Sequence, residues 1–142
     1  MIYTPMTKKA LKLCFEAHKD QTDKSGMPYV FHPFHLAEQM SDEYTVTAAL
    51  LHDVVEDTDI TFDDLERMGF PAKVTDALKL LTHVDSVEYM DYVAKIKQDP
   101  VAAAVKLADL RHNSDTSRLD AVDERALKRV EKYAAAIKLL TE

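Results

Sequence analysis

Six helix-start signals recur along the chain at helix-length intervals, and they constrain the fold more than any other feature. Thr4-Pro5, His32-Pro33 and Asp99-Pro100 each put a proline where a first helical turn needs no amide donor. Thr61 with Asp64, and Asp85 with Glu88, carry the three-residue spacing of an N-terminal cap, and Gly69-Phe70-Pro71 marks a break and a restart. Apolar residues with helical periodicity follow each signal. The spacing predicts helices near 5–20, 33–40, 45–57, 61–68, 71–82, 86–98, 100–114 and 122–141. With 46% hydrophobic residues and only two glycines, the chain lacks the turn chemistry that a sheet of hairpins requires. The predicted fold is all-α, one domain over residues 1–142, a bundle of seven to eight helices. The segment from Gln21 to Phe31 is the least helical, holding Gly26 and Pro28.

A chain of 142 residues can bury a core without disulfides or structural zinc. The single Cys14 offers no disulfide framework, and the chain opens on no leader-like apolar segment, so the expected compartment is the cytoplasm. No apolar run approaches the roughly 20 residues of a membrane span. The formal charge of −7 argues against nucleic acid or an anionic membrane as partner. A small polyanion fits only where a bound cation or a basic cluster reverses the local field.

The stretch TAALLHDVVEDT, Thr47 to Thr58, sets four polar groups into a sequence that otherwise reads as buried helix. On a continuous helix His52 lies beneath Glu56 and Asp53 beneath Asp57, while Ala48, Leu50, Leu51, Val54 and Val55 fill the remaining arc. The polar columns are therefore expected to line an internal cleft, where a divalent cation offsets the cost of burying carboxylates. A second segment, PVAAAVKLADLRHN, repeats the pattern, with Asp109 and Asn113 four apart on one face. In YVFHPFHLA, His32 stands just ahead of Pro33 at a helix start. His32, His52, Asp53 and Asp109 make a mixed nitrogen and oxygen donor set that suits Mn²⁺, Fe²⁺ or Zn²⁺ better than Ca²⁺. Four protein donors leave an octahedral ion open to water and substrate.

The three motifs YVFHP, ALLHDVVEDT and VKLADLRHN, in this order, resemble the HD-domain metal-dependent phosphohydrolases, and most of all the hydrolase domain of the RelA/SpoT alarmone enzymes and their stand-alone small relatives. The similarity runs from about Ala17 to Leu119. It implies one divalent ion, Mn²⁺ foremost with Fe²⁺, Co²⁺ or Zn²⁺ as alternatives, held by His32, His52, Asp53 and Asp109. It implies that Glu56 and Asp57 orient or deprotonate the attacking water, and that Lys24, Ser25, Asn113 and Thr116 touch a small phosphorylated nucleotide. The reaction implied is removal of the 3′-pyrophosphate from (p)ppGpp.

Two departures from that family stand out. Asp23-Lys24 replaces the usual Arg-Lys ahead of Ser25-Gly26, where the Arg helps to hold the guanine nucleotide, and ADLRHN replaces ADRLHN, moving an arginine by one position around the helix. Asp23 favours an alternative reading as a hydrolase of another phosphorylated nucleotide or dinucleotide cofactor. A non-catalytic nucleotide sensor would have lost a ligand or the Glu-Asp pair, and this chain retains both. Only a closing helix follows Leu119, so a hydrolase alone is expected. Lys106 is read as neutralising a nearby carboxylate. His18, His35, His83 and His112 are read as packing or surface histidines, and Tyr89, Met90 and Tyr92 as packing.

Overall fold

The computed structural model describes all 142 residues and contains nine α-helices and no strand, only an isolated bridge between Thr22 and Pro28. The helices are α1 (Pro5–His18), α2 (Phe31–Glu38), α3 (Glu43–Leu51), α4 (Val54–Asp57), α5 (Phe62–Arg67), α6 (Ala72–Leu81), α7 (Tyr89–Lys97), α8 (Pro100–Asn113) and α9 (Glu124–Thr141), with a 3₁₀ turn at Thr116–Arg118. Taken as one interrupted helix, α3 and α4 restore the expected eight. No helix is long and apolar enough to cross a membrane.

Local chemistry sets most of the helix starts. Thr4 and Thr7 exchange side chain to backbone hydrogen bonds ahead of Pro5, and Thr61 and Asp64 do the same for α5. Asp42, Asp99 and Asp123 accept amides of the first turns of α3, α8 and α9. The core is centred on α3, every residue of which from Thr45 to Leu51 is buried. It packs against α1, α2, α6 and α8 at once, which explains why its sequence shows no polar face. The closing helix α9 lies across α7 and α8 on a narrow stripe that buries Ala126 and Ala136.

Two sequence expectations need correction. The predicted helix 45–57 is interrupted at His52 and Asp53, where Asp53 takes φ −109° and ψ 0°. His52 Nδ1 donates to the Ala49 carbonyl at 2.6 Å, the acceptor that a continuing helix would offer to the Asp53 amide. The Asp53 carbonyl then restarts the chain as α4 by accepting from the Asp57 amide at 2.9 Å. Likewise α2 starts at Phe31, not Pro33, because the first three amides of a helix need no partner and Pro33 fits as the third residue. His32 therefore sits inside the first turn and not ahead of it.

Since α3 packs against four other helices and Leu50 is fully buried on it, Leu50→Ala is expected to lower the unfolding free energy by about 2–5 kcal/mol. Leu127→Ala, at a side chain 55% exposed on α9, is expected to change it by less than about 0.5 kcal/mol. Urea denaturation of the two variants checks this, and equal losses would contradict the packing order.

Candidate metal centre

Two helices and one helix break bring the predicted donors together. His32 comes from the first turn of α2, His52 and Asp53 from the break between α3 and α4, and Asp109 from the buried face of α8. Nitrogen or oxygen atoms of His32, His52 and Asp109 all lie within 4.8 Å of one another. Asp53 joins on the His52 side, its Oδ2 3.0 Å from His52 Nε2 and accepting from the Tyr29 hydroxyl.

The hydrogen bonds around this cluster leave lone pairs facing lone pairs. Because His52 Nδ1 donates to Ala49, the neutral ring presents Nε2 as an acceptor. That nitrogen is buried and makes no hydrogen bond, although Asp53 Oδ2 is 3.0 Å and Asp109 Oδ1 3.7 Å away. An ionised carboxylate cannot donate to it, and a cation would satisfy the nitrogen and both carboxylates at once. His32 has its Nε2 2.9 Å from Asp109 Oδ1 and its Nδ1 2.7 Å from His112 Nδ1. When His32 Nδ1 donates to His112, its Nε2 likewise turns a lone pair to the centre. The donor set present fits one divalent ion.

The charges agree with this. Asp109 is buried, which alone would raise its pKa. The His32 and His52 imidazoles beside it and the Lys106 ammonium outweigh burial and hold it well below the ordinary carboxylate range. Lys106 Nζ donates to Asp109 Oδ2 at 3.1 Å, and Asn113 Nδ2 donates to Asp109 Oδ1 at 3.0 Å. Asp53 behaves oppositely: burial, then the charges of Asp109, Asp57 and Glu56, push its pKa up to about 8. Burial lowers the His32 pKa despite Asp109, favouring the neutral ring that a metal requires. One carboxylate thus has its countercharge in Lys106, and the other lacks one.

Two chambers meet at the cluster. A cleft of about 400 Å³ is lined by Lys24, Ser25, Tyr29, His32, Arg118 and Arg129, among others. A smaller chamber of about 170 Å³ is lined by His52, Glu56, His83, Tyr89, Lys106 and Lys132, among others. Asp53, Asp109, Asn113 and Tyr133 border both. Of the predicted residues, Lys24, Ser25 and Asn113 reach the cleft, whereas Thr116 is half-buried in the 3₁₀ turn and lines neither chamber. Glu56 lines the small chamber and accepts from the His83 amide at 3.0 Å. Asp57, by contrast, lines neither chamber and is exposed.

Sequence reasoning passed over several neighbours of the site. His112, read as packing, buttresses His32, and Tyr29 holds Asp53. His112 lies three residues after Asp109 on the same helix, so helical spacing carried a signal for it, whereas Tyr29 stands in the turn ahead of α2. Arg118, Arg129, Lys132 and Tyr133 come from segments with no motif. The displaced Arg111 is exposed and borders a separate groove with Gln39 and Asp42, while Leu110 in the preceding position is fully buried.

The pKa of Asp53 gives a pH test. A folded-state value raised to about 8 means that this group's contribution to stability is present below the ordinary value of 3.8 and is lost as pH rises through 8 in the metal-free protein. A divalent ion favours the ionised carboxylate and neutral imidazoles, so the rise in Tm on adding Mn²⁺ is expected to be larger at about pH 8 than at about pH 6. Thermal melts with Mn²⁺ and with EDTA at both pH values check this. A larger rise at the lower pH would contradict it.

Comparison with known proteins agrees with this geometry. Residues 10–113 match the HD domain family. The chain is 34% identical over 124 residues to the bifunctional (p)ppGpp synthase/hydrolase SpoT of Escherichia coli K12, covering 77% of this chain and 18% of that protein. It is 33% identical over 121 residues to the guanosine-3′,5′-bis(diphosphate) 3′-pyrophosphohydrolase of Aquifex aeolicus, covering 76% of this chain and 17% of that one. The chain therefore spans less than a fifth of the length of these relatives. A solved structure of a metazoan SpoT ortholog that hydrolyzes ppGpp superposes with a TM-score of 0.75 at 25% identity, covering 99% of this chain and 88% of the other. The match over residues 10–113, carried on an all-α bundle that gathers His32, His52 and Asp109, places the chain in the HD domain family.

Proposed function

We propose that this HD domain is a metal-dependent phosphohydrolase that removes the 3′-pyrophosphate from guanosine 3′,5′-bis(diphosphate), giving GDP and pyrophosphate. The observation that carries the reading is the buried, unpartnered His52 Nε2 facing Asp53 and Asp109 where the nucleotide-sized cleft meets the small chamber. The names of the relatives support the substrate. His32, His52, Asp53 and Asp109 would hold the ion, with Mn²⁺ the first candidate. Asp23, which argued for another substrate, has its Oδ1 occupied by three loop donors, the Ser25 amide and hydroxyl and the Met27 amide.

When bound, the cation supplies Lewis acidity toward the scissile phosphoryl group and the attacking water. Lys24 receives the nucleotide's phosphates from the cleft side, and Ser25, whose amide and hydroxyl both bond to Asp23, holds the loop that presents it there. Glu56, in the small chamber, takes the proton of the water as its oxygen bonds to phosphorus. The bond from phosphorus to the 3′ oxygen breaks, and that oxygen leaves on the nucleotide and is protonated. Asp109 keeps its charge through the cycle because Lys106 and Asn113 stay bonded to it. Asp57 acts from outside the chambers through its field on Asp53.

Purified protein reconstituted with Mn²⁺, Fe²⁺, Co²⁺ or Zn²⁺ is expected to release pyrophosphate from ppGpp with at least one ion. No release with any of them would overturn the reading. Glu56→Gln is expected to retain the metal and lose turnover by about a hundredfold to ten-thousandfold, while Asp57→Asn loses less. Steady-state kinetics with metal analysis of both variants checks the assignment, and a larger loss in Asp57→Asn would reverse the two roles.

A further inference from the structure

Three cations line the cleft: Lys24, Arg118 and Arg129. Arg118 is the one among them fixed from both walls. Its Nη2 donates to the His112 carbonyl at 3.2 Å, on the end of α8 that also buttresses His32, and its Nη1 stands 3.7 Å from Asp23 Oδ2 on the opposite loop. The Asp23 carboxylate is shared. Its Oδ1 accepts from the Ser25 amide at 2.9 Å, the Ser25 hydroxyl at 2.7 Å and the Met27 amide at 3.0 Å, closing the loop that presents Lys24. The other carboxylate near Arg118 is Asp115, whose Oδ1 accepts from the Ser117 amide and hydroxyl. Both anions are thus drawn into local turns, and the single long contact to Asp23 leaves the terminal Nη atoms with unused donors, while Nε is buried without a partner.

We infer that Arg118 is a specificity-determining residue of the cleft, binding a second phosphate group of the nucleotide remote from the one that is cleaved. This rests on the function proposed above and adds to it the residue that reads the far end of the substrate. A guanidinium already held in place loses little side-chain freedom when it meets a phosphate, and its planar fork offers two donors at once. Lys106, by contrast, is committed to Asp109, and Arg111 faces a separate groove. Its side chain is 32% exposed, so Arg118 can reach a ligand without leaving its tethers.

Equilibrium binding in EDTA, where turnover is off, tests the assignment with two probes: guanosine 3′,5′-bis(diphosphate) and guanosine 3′-diphosphate, which lacks the 5′ phosphates. Arg118→Gln keeps a donor for the His112 carbonyl and removes the charge. It is expected to weaken the doubly phosphorylated probe by about tenfold or more and to leave the other within about twofold. Arg118→Lys, charged but unable to span both tethers, is expected to fall between. Equal losses on both probes, no loss on either, or no binding of either probe to the wild type would each overturn the inference. Thermal melts confirm that the variants fold. Hydrolysis of ppGpp by the metal-loaded wild type is scored separately and bears only on the proposed reaction.

Discussion

The hydrogen bond from His52 Nδ1 to the Ala49 carbonyl is the constraint on which the rest of the site depends. It takes the acceptor that would continue α3, so the chain breaks at the base of the site and restarts as α4. It also fixes which ring nitrogen carries the proton, leaving Nε2 of a buried imidazole with a lone pair and no donor nearby. One contact between a side chain and its own helix therefore sets both the backbone path and the polarity of the centre.

Around that point the protein divides positive charge unequally. The chain is acidic overall, with a formal charge of −7, yet Asp109 is enclosed by Lys106 and Asn113 and remains ionised at full burial. Burial first, and then the charges of three neighbouring carboxylates, holds the proton of Asp53 up to about pH 8, with only the Tyr29 hydroxyl donating to it. A site with one satisfied and one unsatisfied carboxylate, two imidazoles and openings on two sides is poised for a cation that must also meet a substrate. The arrangement is costly in the absence of the ion and is built on α3, the most buried helix of the bundle, and on the buried face of α8, where it cannot relax by moving into water.

Much of this was legible in the sequence because it is local. Helix starts were readable from Thr4, Thr61 and Asp99, whose caps act within three residues, and the donor residues from their spacing within motifs. The helix break was not legible, since no Gly or Pro marks it and the competing bond belongs to a histidine that also suits a helix interior. The setting of Asp23 was hidden for a related reason. Read alone it repels a polyanion, but its charge is taken up by its own loop and by Arg118, a partner far along the chain that no periodicity could point to. The exposed position of Asp57 follows from the same unseen break.

The account stands on His52 and His32 both turning a nitrogen lone pair toward one ion. X-ray absorption at the metal edge of the Mn²⁺- or Co²⁺-loaded protein measures this directly. The account predicts scattering from two imidazoles together with carboxylate and water oxygens, falling to one imidazole in His52→Ala. An all-oxygen shell in the wild type, or a shell unchanged by that substitution, would contradict it.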